Sequence, residues 1–237
     1  MMMIQIGNFF FQYRNWVFIP LYLALFIPSA EVLTTPYHAW VLVIGLTITI
    51  TGQAIRGATI GLAYIKRGGL NKKVYAANLV TEGIFNHCRN PLYVGNILML
   101  VGIGILSNSL LYVGLIIPLF LFIFQSIVLA EENFLRGKFG AEFDAYAKRV
   151  HRWVPVLKGL GATFKSMEFN WQRWLVKEYS SQFIWLLGIT LILLFKYPEL
   201  TDYQDELRNQ LLVIIVPLLT AAYLGVRYLK KSGKLRG

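Results

Sequence analysis

Three places in this 237-residue chain put ionisable side chains inside or beside long apolar runs: Arg56, the stretch "GIFNHCRNPLYVGN" at 83–96, and the pair Glu131 and Glu132. A charge near hydrocarbon is costly to desolvate, so such groups are functional candidates by default. Arg89 offers a planar fork of donors that suits a carboxylate. Neighbouring helical residues point about 100° apart, so Glu131 and Glu132 cannot face one ligand together. At least one of them is expected to turn toward a ligand or an arginine. Pro91 suits a helix N-terminus, whose unpaired N–H groups favour an anion. Other chemistries are poorly supplied. Cys88 is the one cysteine, so no intramolecular disulfide can form, and with three histidines it makes no metal-ligand spacing. His87 and Cys88 read as lining or packing residues.

The elements that must position these groups are membrane helices. Hydrophobic residues make up 56% of the chain and aromatic ones 15%, beyond the usual range of a soluble domain. Apolar runs near 15–33, 39–62, 91–107, 110–130, 182–196 and 210–227 approach the roughly 20 residues needed to span hydrocarbon, which predicts an all-α polytopic membrane protein with about six transmembrane helices. The net charge of +11 raises the possibility of a nucleic-acid partner, but its distribution argues otherwise. With a cytoplasmic N-terminus, 21 of the 23 Lys and Arg residues fall on the inner side, and only Lys196 and Arg208 lie opposite. This is the positive-inside pattern, so both termini and all three ionisable places are expected on the cytoplasmic face. The tripeptide-like end of "LFIPSAEVL" resembles a cleavage site, yet only Arg14 precedes it as a charge, and an uncleaved first helix is expected.

The chain divides into an N-terminal transmembrane hairpin at 1–64, a core at 65–159, and an amphipathic linker with a second hairpin at 160–237. Gly57 and Gly61 allow close helix approach in the first hairpin. "KRGGLNKKVYAANLV" is too polar to span and should lie at the interface. Phe139, Phe143, Tyr146 and Val150 form an apolar stripe at helical spacing that must pack on something.

In order and spacing, "GQAIRGATIG", "NLVTEGIFNHCRNPLYVGN" and "EENFLRGKFGAEFDAYAKRVHRWVP" resemble the isoprenylcysteine carboxyl methyltransferase and phospholipid methyltransferase superfamily of integral membrane methyltransferases, over roughly residues 45–159. The resembling positions are Gly83, Phe85, Arg89, Asn90, Pro91, Tyr93 and Gly95, then Glu131, Glu132, Phe139, Gly140, Tyr146, Arg149 and Pro155. The resemblance implies S-adenosylmethionine as methyl donor. It assigns the donor to Asn78, Leu79, Val80, Phe85, Asn90, Pro91, Leu92, Tyr93 and Glu131, and a catalytic part to Arg89, Glu132 and Arg56. The implied acceptor is a lipid or isoprenyl-linked molecule that enters from the bilayer and is methylated on a carboxyl oxygen or an amine nitrogen. No metal is implied.

Two departures qualify the resemblance. Asn90 stands where many relatives have His, and an amide keeps hydrogen bonding but cannot transfer a proton. Ile127 stands where the eukaryotic prenylcysteine enzymes carry a substrate-facing Arg, a role for which Arg56 and Arg152 are the alternatives. Two other classes stay open at this point: an NADPH-dependent enzyme like the sterol reductases, and a non-enzymatic membrane scaffold or transporter.

Overall fold

Every regular element among the described residues is helical, as an apolar chain with few turn signals requires. The computed structural model describes residues 2–62 and 74–235. Lys66, Arg67, Lys72 and Lys73 of the basic stretch expected at the interface, and Arg236, lie outside them. The chain forms two compact units, Met1–Glu168 and Phe169–Gly237.

The first unit contains α1 (Met2–Leu23), α2 (His38–Leu62), α3 (Pro91–Leu106), α4 (Ile117–Phe139), α5 (Ala141–Arg149) and α6 (Leu160–Lys165). A π-helical turn at Tyr112–Ile116 leads into α4. The second unit contains α7 (Trp171–Lys196) and α8 (Asp205–Lys231). Among the described residues four helices are long and apolar enough to cross a membrane: α2, α4 with its π turn, α7 and α8. The 16-residue α3 is equally apolar but shorter. α1 has the length but not the composition, because Gln5, Asn8, Gln12, Arg14 and Asn15 interrupt it.

In the first unit α2 and α3 run antiparallel in close contact. A Cβ added at Gly52 would lie 2.6 Å from the Met99 nitrogen and 2.7 Å from the Gly95 carbonyl oxygen, and one at Gly95 would lie 2.8 Å from the Gly52 oxygen. Backbones this close gain dispersion contact that bulkier residues forbid, and in lipid such packing replaces the hydrophobic effect between helices. The Thr49 hydroxyl adds a hydrogen bond to the Met99 carbonyl at 3.2 Å. Gly57 and Gly61 are also buried, but this crossing is made further from the end of α2 than sequence spacing suggested. α1 lies against α4 through aromatic rings, with Phe18 5.2 Å from Phe120 and 5.5 Å from Phe124.

The first span is displaced from its expected position at 15–33, since α1 ends at Leu23. Residues 29–33 are held instead by the turn after α3. Asn108 sits at φ +50°, in the left-handed region that Asn tolerates better than most residues. Its side-chain oxygen accepts from the Val32 and Leu33 amides at 3.2 and 3.0 Å, and its amide donates to the Leu33 carbonyl at 2.7 Å. The Leu110 amide donates to the Ala30 carbonyl at 2.8 Å. Pro28 has no N–H to continue a helix, so these backbone groups are satisfied by a loop.

In the second unit, the Asn170 side chain caps α7 by accepting from the Arg173 amide at 2.8 Å. That cap starts the helix at Trp171 rather than near 182, and the aromatic linker becomes its first turns. Tyr223 of α8 stacks on Tyr179 and packs on Phe183 of α7, with ring centroids 5.3 and 5.0 Å apart.

Gly52→Ala is expected to lower stability by about 1–3 kcal/mol through overpacking against α3, measured by thermal unfolding in detergent. Asn108→Ala removes three side-chain hydrogen bonds and places Ala at positive φ, so a loss of about 2–4 kcal/mol is expected in the same measurement. An unchanged midpoint in either variant would contradict the packing described.

Candidate functional site

The polar block before α3 is irregular because its sequence cannot stay helical. Gly83 takes φ +61°, and a Cβ there would lie 2.7 Å from the Met167 methyl carbon. One 3-10 turn follows at Gly83–Asn86, and Pro91 then occupies the first turn of α3, with Asn90 as its N-cap residue. The backbone between is exchanged with a strap formed by residues 150–156. The Arg89 amide donates to the His151 carbonyl at 3.0 Å, and the Val156 amide donates to the His87 carbonyl at 2.9 Å. The His87 Nδ1 lies 2.7 Å from the Val156 carbonyl and must donate to it. In the neutral ring Nε2 is then the acceptor, and the Thr163 hydroxyl lies 2.8 Å away. Tyr146 donates its hydroxyl to the Phe85 carbonyl at 2.7 Å, and the Trp153 indole donates to the Gln125 side chain at 3.0 Å.

At the centre of this interlock lies Glu132, which is buried. Arg152 grips it with two bonds, Nε to Oε1 at 3.0 Å and Nη2 to Oε2 at 2.7 Å. Arg89 approaches Oε1 of the same carboxylate at 3.4 Å and points Nη1 toward the Ala147 carbonyl, also at 3.4 Å. The Arg89 Nε is buried with no hydrogen-bond partner among the described residues. The hydrogen bond to Glu132, helped by its charge, pushes the Arg152 pKa further above its already high range against the opposing effect of burial. Beside them the Cys88 thiol is pushed up by burial, with an Asn90 backbone hydrogen bond and the Arg89 charge opposing, so at neutral pH it stays a thiol.

Glu131 points elsewhere, as the angular argument requires. Its Oε1 accepts the Tyr93 hydroxyl at 3.0 Å, joining α4 to the first turn of α3. From Tyr93 an aromatic file continues into the bundle through Phe124, at 5.7 Å, to Phe18 and Phe120. Arg56 reaches α3 one turn further along, where it donates to the Asn96 side chain. Asn90 is buried and gives its side-chain amide to the Arg152 carbonyl at 3.3 Å, not to the first turn of α3. Phe85 and Pro91 are buried, and Leu92 is half-buried. Of the preceding segment, Asn78 is exposed, while Leu79 packs on the Phe143, Tyr146 and Val150 cluster that the apolar stripe builds. Ile127 is fully buried.

The expected residues thus form two neighbouring groups: Tyr93 with Glu131, and Glu132 with Arg89. Sequence offers Arg152 only as a substitute cation, yet it is the principal partner of Glu132. Sequence offered no signal for that choice, because the two lie 20 residues apart across two helices. The Tyr146 hydroxyl bond to Phe85 was foreshadowed only by the inward stripe on which Tyr146 lies.

Glu132→Ala would leave two guanidiniums facing a void. Arg152 is partly solvated, which moderates the cost, and a loss of about 3 kcal/mol is expected by thermal unfolding. A loss below the error of the measurement would show that the pair does not hold the strap. Cys88 is expected to resist maleimide at neutral pH while the protein is folded and to react once it is denatured; rapid labelling of the folded chain would contradict its burial.

Residues 34–142 match the family described as Phospholipid methyltransferase. The chain is 28% identical over 155 residues to a nickel-cobalt-cadmium resistance protein of Alcaligenes xylosoxydans xylosoxydans, covering 65% of this chain and 68% of that one. It is 32% identical over 122 residues to a probable protein-S-isoprenylcysteine O-methyltransferase of Oryza sativa subsp. indica, covering 48% and 61%. It is 31% identical over 124 residues to the protein-S-isoprenylcysteine O-methyltransferase of Homo sapiens, covering 51% and 43%. No solved structure matches. The match contains the irregular block, α3 and both glutamates, and over that segment, somewhat under half of the chain, the protein is similar to phospholipid and isoprenylcysteine methyltransferases.

Proposed function

We propose that the chain is an S-adenosylmethionine-dependent methyltransferase, with its donor site at the cytoplasmic end of α3 and a lipophilic acceptor drawn from the bilayer. The observation that carries this reading is the 3.0 Å bond between Tyr93 and Glu131. These two residues, 38 positions apart, were each assigned to the donor from a separate sequence element, and they meet. The basic residues, 21 of 23 on one side, support the cytoplasmic orientation.

The residues present suit such a donor. S-adenosylmethionine, when bound, supplies a methyl group on a sulfonium whose positive charge disperses as the group leaves. Glu131 offers carboxylate oxygens to an amino group, and the Tyr93 hydroxyl orients that carboxylate. The Asn90 side chain does not cap α3, and the positive end of that helix favours an anionic group beside it. The partnerless Arg89 Nε adds a donor of the same sense. Asn78, Leu79, Val80, Phe85, Pro91 and Leu92 supply the apolar and shape-determining walls. The aromatic file from Tyr93 to Phe18 offers an apolar path for the acceptor, and Arg56 with Asn96 stands beside it as a polar group within the helices.

Glu132 is read as a positioning residue. Its carboxylate oxygens are taken up by two guanidinium partners, so its part is to fix Arg89 and the strap. Alignment and exclusion of water then carry the rate, with no covalent nucleophile.

Calorimetry on the detergent-solubilised protein is expected to show binding of S-adenosylhomocysteine and none of NADPH. Glu131→Ala and Tyr93→Phe are each expected to weaken it about tenfold, the value of one charge-assisted hydrogen bond. Binding equal to the wild type in both variants would refute the site, and failure of the folded protein to bind any adenosyl ligand would refute the activity. Radiolabelled methyl transfer is expected into the lipid extract.

A further inference from the structure

The segment assigned to the donor, Asn78–Val80, follows the α2 end of the chain without any helix of its own. What fixes it comes from α4. The last turn of α4 carries two basic residues, Arg136 and Lys138. Such residues commonly turn toward the carbonyls of their own helix end. Here they part company. Arg136 pairs with Asp144 of α5 at 2.7 Å and lies over the Phe143 ring. Lys138 instead reaches across 61 or 62 positions of sequence, with its ammonium 2.5 Å from the Ala76 carbonyl and 3.5 Å from the Ala77 carbonyl. The same ammonium lies 5.4 Å from the ring centres of Tyr75 and Phe139.

We propose that Lys138 is a positioning residue of the donor site: its ammonium gathers the Ala76 and Ala77 carbonyls and so sets where Asn78, Leu79 and Val80 stand. This rests on the donor site proposed above. The ammonium is a compact charge with three rotatable donors, which suits two carbonyls and a ring at once. It fixes the segment from one end, while Leu79 is held in the Phe143, Tyr146 and Val150 cluster at the other. With only the Leu79 contact the chain could pivot, and a shift of about 1 Å in a positioning element is enough to cost a large factor in binding or rate. Lys138 does not touch the donor, so its loss acts on donor affinity and leaves the rate of the bound complex alone.

The test uses the full chain in detergent, with S-adenosylhomocysteine as probe for binding and radiolabelled donor for turnover. Lys138→Met is expected to raise the Kd and the donor KM about tenfold with kcat within about twofold, and Lys138→Arg to recover most of the loss, since a charge-assisted bond is worth about that factor. Lys148→Met, an exposed lysine of α5, should bind as the wild type does. Thermal midpoints should agree among all four proteins. The inference is overturned if Lys138→Met binds like the wild type, or if its loss is not recovered by Arg and comes with a lowered midpoint. If the wild type itself binds no S-adenosylhomocysteine, the functional reading falls and this inference falls with it; if the wild type binds and Lys138→Met is unaffected, only the inference falls.

Discussion

One buried carboxylate, Glu132, faces two guanidiniums that reach it from different parts of the chain: Arg89 just before α3 and Arg152 in the strap after α5. Removing a carboxylate from water is expensive, and the cost is met only when the counter-charges are close and hydrogen-bonded. The fold therefore has to deliver α4, the irregular block and the strap to one point together. Once it does, the rest of the interlock follows: His87 and Val156 exchange backbone and ring hydrogen bonds, Asn90 turns to the Arg152 carbonyl, and Tyr146 closes on Phe85. The start of α3 is fixed by these partners as much as by Pro91.

A second constraint acts deeper in the bundle. The α2–α3 crossing permits no side chain at Gly52 or Gly95, so the two backbones meet and Arg56 is carried to Asn96. On the other flank, rings of α1 and α4 fill the space that continues from Tyr93. Within one or two helical turns the environment changes from a charged, hydrogen-bonded cluster to an aromatic interior. Such a gradient suits a reaction between a polar donor and an apolar acceptor, since each finds its own solvent on its own side.

Helix content, the place of α3 and the apolar stripe that includes Phe143 and Tyr146 were legible in sequence from local periodicity and from proline, whereas the break at Gly140 between α4 and α5 was not read there. The divergence of Glu131 and Glu132 was legible too, from helical geometry alone. The first span was not, since residues 24–33 read as an apolar continuation of α1, whereas the helix stops before Pro28 and residues 30–33 are held by the distant turn at Asn108. The start of α7 was obscured by Trp and Lys residues that read as interfacial, although Asn170 is a cap signal in plain view. The partners of Glu132 and of Lys138 were beyond reach, because several basic residues lie within range and the choice among them is made by tertiary placement.

The brevity of α3 has a consequence for the bilayer. At about 1.5 Å per residue its 16 residues span about 24 Å, short of a hydrocarbon thickness near 30 Å. A short span is met by local thinning of the bilayer or by drawing its flanking polar residues inward. The flank at the Pro91 end is the charged interlock, whose polar groups largely satisfy one another and need little water to do so. In a bilayer of that thickness, a mismatch at α3 would fall at the end where the protein supplies its own polar partners.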